Sequence, residues 1–398
     1  MDSVFYYRNP EAEGTNGGSL QGLKIAIQPN ISAAGWPTDA GSRALNRFIA
    51  VEDSTMVSRL RQAGAVLCGS TLMSEFGLGM HNSRAGRAVQ QGEAEAELIL
   101  DLMGESRLAA SAAQVYGFKP TSGTISRYGL IGLIPSMESC GVISKSLICV
   151  RDILKTMAGQ DELDYSLPVE KAPDFAPRRI EPSSLTAGLI TESQDSLSTE
   201  ERHKFQSVLA DLKKKGFTVR EFSLPDFALF SAVHKIVGSV EASSCAGRYD
   251  SVRYGQRSPG AKNWNEMYMS TRAAAFGPLL KSFLFQGAYF QFERYAAYEN
   301  ACRLRARLVG EMQAINKQVD FLVLPAAGYK PSALPLSLAE TYSLFNTTVF
   351  ANVTGQPALY LPADGTGNGG IQLAGLRLND GLLLSLGEYL VSQNRGGK

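Results

Sequence analysis

The sequence predicts an α/β protein, one large α/β/α sandwich around a mixed β-sheet, on three observations. Short apolar runs alternate with amphipathic helical segments along the chain. The order strand, helix, strand occurs at 23–68 and again at 185–224, which is the signature of this class. No internal repeat or low-complexity tract divides the 398 residues, so residues 22–398 are expected to form a single domain behind a loose, polar, glycine-rich lead-in at 1–21.

The elements follow in order. Leu23 to Ile27 reads as a buried strand stopped by Pro29 and Asn30. Thr55 to Gly64 has helical spacing, with Met56, Val57, Leu60 and Ala63 on one face and Gly64 as the stop. Val66-Leu67-Cys68 is the next strand, and the tract EAEAELIL at 93–100 has the composition of an acidic helix start. A proline- and charge-rich connection at about 161–183 should run over the surface. Leu185 to Ile190 and Phe217 to Leu224 are strands flanking a helix that begins with the capping box Ser198-Thr199-Glu200-Glu201. Gly287 to Ile315 reads as one long helix whose stripe Tyr289, Phe292, Tyr295 and Tyr298 is taken as core packing. Strands at 319–325, 358–362 and 371–376 and a helix at 382–391 close the chain.

Composition excludes several classes. With 44% hydrophobic and 19% charged residues and a net charge of +1, no global field attracts DNA, RNA or a membrane surface. Five cysteines and three histidines are scattered without CxxC or helical ligand spacing, so reduced thiols and no metal centre are expected. No signal peptide and no membrane-length apolar run is visible, so a soluble protein is expected.

The stretch Asp101 to Tyr128 carries the chemistry. A turn holding Gly104, Glu105, Ser106 and Arg107 leads into Ala109, Ala110, Ser111, Ala112 and Ala113, which are small enough for close backbone approach. Gly117-Phe118-Lys119-Pro120-Thr121 and Ser126-Arg127-Tyr128-Gly129-Leu130 follow. These motifs resemble the amidase signature, and with Glu241 to Ser244, Arg248-Tyr249-Asp250 and Phe276-Gly277 they are most similar to the A subunit of glutamyl-tRNA(Gln) amidotransferase.

The resemblance implies an amidase-signature fold and a Ser, cis-Ser, Lys triad in which a serine is the nucleophile and a buried lysine the base. This chain departs from that pattern. The lysine position falls on Gln28, which cannot titrate. Lys24 lies about 13 Å further back by strand rise. The Gly-Ser tract holding the middle serine is missing between Asn82-Ser83 and Gly92. Counting back from Lys119 puts Glu105 at the nucleophile, with Ser106 as a possible residual nucleophile one place off, while Asp101, Gly104 and Arg107 keep their family counterparts. The arginines that grip the substrate carboxylate become Ser282 and Phe283, and the acid that meets its amine becomes Phe345.

Three readings stay open at this stage. The first is a pseudoenzyme or scaffold subunit that has lost its own glutaminase activity and meets B- and C-type amidotransferase subunits, touching tRNA only indirectly. It would need no cofactor of its own and would be cytoplasmic, or in the mitochondrial matrix of a eukaryote. The second is an amidase or hydrolase with altered residues, using Glu105, Asp101 or Ser106, although Asp101 and Glu105 read more simply as a turn acid and a surface glutamate. The third is a binding or regulatory module using the old pocket for a small uncharged ligand.

Overall fold

The computed structural model describes residues 3–12, 17–326, 329, 335–363 and 370–395. Its strands are β1 (Phe5–Arg8), β2 (Lys24–Ile27), β3 (Val66–Thr71), β4 (Ala96–Asp101), β5 (Tyr116–Lys119), β6 (Ser139–Ser144), β7 (Thr186–Ile190), β8 (Thr218–Phe222), β9 (Phe321–Pro325), β10 (Ala358–Leu361) and β11 (Ile371–Ala374). They form one sheet in the order β1-β3-β2-β4-β6-β5-β10-β11-β9-β7-β8. The pairs β3–β2, β2–β4, β9–β7 and β7–β8 are parallel and the others antiparallel, so the sheet is mixed as predicted.

Helices cover both faces: α1 (Thr55–Gln62), α2 (Arg87–Gln91), α3 (Glu105–Ala113), α4 (Leu147–Met157), α5 (Thr199–Lys214), α6 (Leu229–Ala246), α7 (Trp264–Ala275), α8 (Pro278–Phe292), α9 (Tyr295–Asn316), α10 (Leu338–Ser343), α11 (Phe350–Thr354) and α12 (Asp380–Arg395). Side chains alternate between the two layers with the period of a strand. In β9, Phe321 and Val323 join α1, α4, α5 and α12 in one core, while Leu322 and Leu324 join α3, α6, α8, α9 and α11 in the other.

The small-residue run of α3 lets that helix lie directly on β5 and β6. A Cβ at Gly117 would stand 2.4 Å from the Ser106 carbonyl oxygen, and one at Gly141 would stand 2.5 Å from the Ser106 Cβ. The capping box at Ser198 and Glu201 starts α5 as expected. Within the expected lead-in, Phe5–Arg8 is an edge strand paired antiparallel to β3, because Val4 and Phe5 are buried against Ala26, Ala88 and Ala94. Residues 1, 2 and 13–16 of that lead-in lie outside the described residues.

Two expectations are corrected. The tract 93–100 is not a helix start: residues 96–101 are the buried strand β4, set between β2 and β6. Its acid Glu97 is tolerated there because the Thr71 hydroxyl (2.6 Å) and the Gly86 N–H (2.7 Å) donate to it, and burial pushes its carboxyl up to about 7.

The expected helix at 287–315 is two helices, broken at Glu293 and Arg294, whose N–H groups both donate to the Tyr289 carbonyl (2.9 and 3.0 Å). The break lets α8 and α9 each pack on α6. It leaves Tyr289, Phe292 and Tyr295 exposed rather than in the core; only Tyr298 packs against it. The inner face of α8 is instead Leu280, Phe283, Leu284 and Gly287.

The α6–α8 contact gives a direct test. A Cβ at Gly287 would stand 1.9 Å from the Ser239 carbonyl oxygen of α6, and a backbone atom cannot swing aside. Gly287→Ala is expected to lower stability by about 1–3 kcal/mol by forcing the helices apart. An unchanged thermal unfolding midpoint would contradict this packing.

Candidate functional site

Strand β4 ends at Asp101 and the chain turns through Leu102, Met103 and Gly104 into α3. Gly104 has φ 123°, and a Cβ there would lie 2.3 Å from the Thr348 Oγ1, so only glycine fits. This geometry aims three consecutive N–H groups at one point. Leu102 and Met103 each donate at 2.7 Å, and Gly104 at 3.1 Å, to a single atom, the Oε2 of Glu105. Glu105 is therefore not the surface glutamate its spacing suggested but a buried carboxyl seated in a backbone nest. Its Oε1 has no hydrogen-bond partner among the described residues.

Burial and the neighbouring Asp101 carboxylate push the Glu105 carboxyl up to about 8, against the pull of the three N–H groups. The hydrogen-bond partners of Asp101 are all donors. It accepts from the Ser106 N–H (3.1 Å), the Ser106 hydroxyl and the Asn352 Nδ2 (2.8 Å), and it lies 3.6 Å from the Arg107 guanidinium. Arg107, itself buried, donates to the Thr348 carbonyl (2.9 Å), the Asn352 Oδ1 (2.9 Å) and the Gln372 Oε1 (3.1 Å). The retained turn residues thus clamp α3 to α11 and β11.

The outer side of the turn is occupied too. The Thr348 hydroxyl donates to the Met103 carbonyl at 2.7 Å. His234 lies 2.9 Å from the Leu102 carbonyl through Nε2 and 2.9 Å from the Tyr342 hydroxyl through Nδ1. The carbonyl requires the proton on Nε2, so Nδ1 accepts from tyrosine. Burial holds His234 down to about 3, which keeps the ring neutral.

The other expected positions are placed as follows. Gln28 is buried just beyond β2, and its Oε1 accepts from the Leu100 N–H at 2.9 Å, so the amide is committed to the main chain of β4. Ser106 points down at the sheet, against Gly141 and Asp101. Phe283 and Phe345 are both fully buried in the same core, the Phe283 ring centroid 6.3 Å from that of Tyr342. Ser282 does not join them; it is exposed, and its hydroxyl donates to the Pro278 carbonyl at 3.0 Å.

Lys119 was read only as part of a motif. It is fully buried, and burial lowers its amine to about 7. The amine donates to the Pro120 carbonyl (2.8 Å) and reaches the Ser122 Oγ at 3.4 Å, not Ser106. Sequence reasoning also missed His234, Tyr342, Thr348 and Gln372. Asn352 had a signal, since it opens the Asn-x-x-Gly-x-Pro segment at 352–357. Among the described residues no group of three or more His, Cys, Asp or Glu side chains could hold a metal ion, and no helix is long and apolar enough to cross a membrane.

A mixed sheet whose strand β4 feeds a glycine turn and a small-residue helix, followed by Gly117 to Thr121, is the frame of an amide-hydrolase fold. The chain belongs to the amidase family, whose model matches residues 6–89 and 101–384. Within that family it is similar to proteins named as the A subunit of glutamyl-tRNA(Gln) amidotransferase. One from Natronomonas pharaonis is 31% identical over 95% of this chain and 97% of its own length, and one from a Cyanothece species is 32% identical over 94% and 84%. The fold is shared with the crystal structure of the Thermotoga maritima protein of that name, at TM-score 0.79, 24% identity and coverage of 96% of this chain and 86% of that one. It is equally shared with a crystal structure of an amidase, at TM-score 0.79, 23% identity and coverage of 98% and 92%. The stretch left out of the family match, 90–100, lies between the retained Asn82-Ser83 and the turn.

The Glu105 carboxyl makes a pH prediction. In the unfolded chain it ionises near its ordinary 4.5, whereas in the fold it keeps its proton to about 8. Between those values the folded state binds more protons, so this group's contribution to stability falls as pH rises and levels off above about 8. Asp101, Arg107 and Tyr342 surround it, so the readout is a difference. The stability of wild type minus that of Glu105→Gln is expected to decline from pH 5 to pH 8. A difference that is flat or rising over that range would contradict the assignment.

Proposed function

We propose that this chain is an A-subunit-like member of the amidase family that no longer hydrolyses glutamine and serves as a scaffold subunit in transamidation. The observation that carries the reading is the Glu105 carboxyl in the nest of Leu102, Met103 and Gly104 N–H groups. Acyl transfer needs such donors free for the oxygen of a tetrahedral intermediate. Here a side chain of the protein itself holds them, at the position where the family pattern expects the nucleophile.

Further support comes from the positions around it. Gln28 stands where a titratable base is expected and is bonded to the main chain. The Gly-Ser tract that holds the pattern's middle serine has no counterpart between Asn82-Ser83 and Gly92. Phe283 and Phe345 are fully buried apolar side chains at positions where a substrate's carboxylate and amine would require charged partners. The partners proposed are B- and C-type subunits of the kind the named relatives imply, with tRNA contacted only through them. The proposed compartment is the cytoplasm or the mitochondrial matrix, and the proposed organisation is a single domain over 22–398, to which β1 adds an edge strand, with its surface connection at 161–183.

A second reading, a hydrolase with relocated chemistry, is favoured by one observation, the Lys119 amine beside the Ser122 hydroxyl. One experiment separates the two. Ammonia release from glutamine and from simple amides is measured for the wild type and for Glu105→Ser, Ser106→Ala and Ser122→Ala, each alone and with B- and C-type subunits. The scaffold reading predicts no release above blank in any of them, together with co-purification of the subunits with the wild type. Turnover that is lost in Ser106→Ala or Ser122→Ala would contradict it.

A further inference from the structure

A second feature of the molecule is a cavity whose lining does not include the turn at Glu105. Loop 39–46, segment 73–82, the start of α8 and Pro335-Leu336 line an open cavity of about 350 Å³, within the size range of small-molecule sites. Three of its walls are fastened to one another by one carboxyl. Glu75 accepts the Ser42 hydroxyl at 2.6 Å through Oε1 and the Gly277 N–H at 2.8 Å through Oε2. The three walls therefore hold their spacing without a ligand, which lowers the ordering cost of binding.

The backbone around the cavity is held in unusual conformations. Among the described residues seven non-glycine positions have positive φ, and Ala40, Phe76 and Asn82 are three of them, all within these two segments. Such positions cost free energy, persist only where the surroundings enforce them, and concentrate at binding sites.

The lining is divided by chemistry. Met73, Leu78, Leu279 and Leu280 line it with apolar side chains, and the exposed Arg43 lines it as well. A second cavity of about 360 Å³ shares Gly41, Arg43, Met73 and Asn82 with the first. The Arg43 guanidinium donates no hydrogen bond to a described residue, whereas both oxygens of Glu75 already accept donors. The Arg43 charge acts on the Glu75 carboxyl, but its N–H donors have no acceptor among the described residues, and apolar side chains line the same cavity.

We propose that this cavity binds a small monoanionic acid, with its carboxylate on the Arg43 guanidinium and its aliphatic body against Leu78, Leu279 and Leu280. A guanidinium offers a carboxylate two parallel N–H donors, and a neutral or cationic ligand of the same shape forfeits them.

The test is calorimetric titration of the purified chain with hexanoate, 1-hexanol and hexylamine. Hexanoate is expected to bind with 1:1 stoichiometry and hexylamine not to bind. Arg43→Gln, whose side chain is at the surface, is expected to weaken hexanoate at least about tenfold, the loss of one charge-assisted pair, while leaving circular dichroism unchanged. Leu279→Trp, which fills the apolar end, is expected to abolish binding. Failure of hexanoate to bind, a loss of less than tenfold in Arg43→Gln, or preference for hexylamine overturns the proposal. None of these outcomes bears on glutamine hydrolysis, so the two readings fail separately.

Discussion

Three backbone N–H groups meeting one carboxyl oxygen is the contact on which the region around α3 depends. A turn that aims N–H groups inward leaves buried donors that must be satisfied, at a cost of roughly 1–3 kcal/mol for each one left bare. A turn of this kind can leave them to a water or a substrate oxygen, but here Glu105 supplies the acceptor from the first residue of the helix itself. The turn then needs no ligand to be complete. Its carbonyls are taken up as well, by His234 and Thr348, so the polar groups of Leu102 and Met103 are occupied on both sides.

The residues the chain shares with the family pattern take on a structural meaning in that setting. Asp101, Arg107 and Asn352 form a buried set of charges and amides that joins β4, α3 and α11, with Gln372 of β11 accepting from Arg107, while the Arg107 Nε has no partner among the described residues. Removing either charge would strand the other in a dry interior, which is the costly outcome for a buried pair. Selection for folding alone is thus enough to keep Asp101 and Arg107, whatever becomes of catalysis. Gln28 and Glu105 belong to the same arrangement: each uses its side chain to satisfy the main chain of 100–104.

The scaffold was legible in the sequence wherever periodicity and caps spoke clearly. The Ser198 capping box, the apolar runs of β2, β7 and β9, and the small-residue run of α3 all do what their pattern implies. β4 was not legible, because alternating acids and alanines resemble a helix start until Thr71 and Gly86 are known to shelter Glu97. The aromatic stripe around Tyr289 misled for another reason: spacing of three implies one helix, and the break at Glu293 turns those rings outward. At the site, alignment of motifs placed Glu105 but gave no hint of its burial. The contacts that enclose it, His234 with Tyr342 and Thr348 with Met103, join residues more than a hundred positions apart.

Amide hydrogen exchange at Leu102, Met103 and Gly104 tests the central contact most directly, comparing wild type with Glu105→Ala. These three N–H groups are expected to exchange slowly in the wild type and markedly faster in the variant, while β4 and the body of α3 keep their protection. Equal exchange of the three amides in both proteins would mean that the carboxyl does not hold the turn, and would contradict the account.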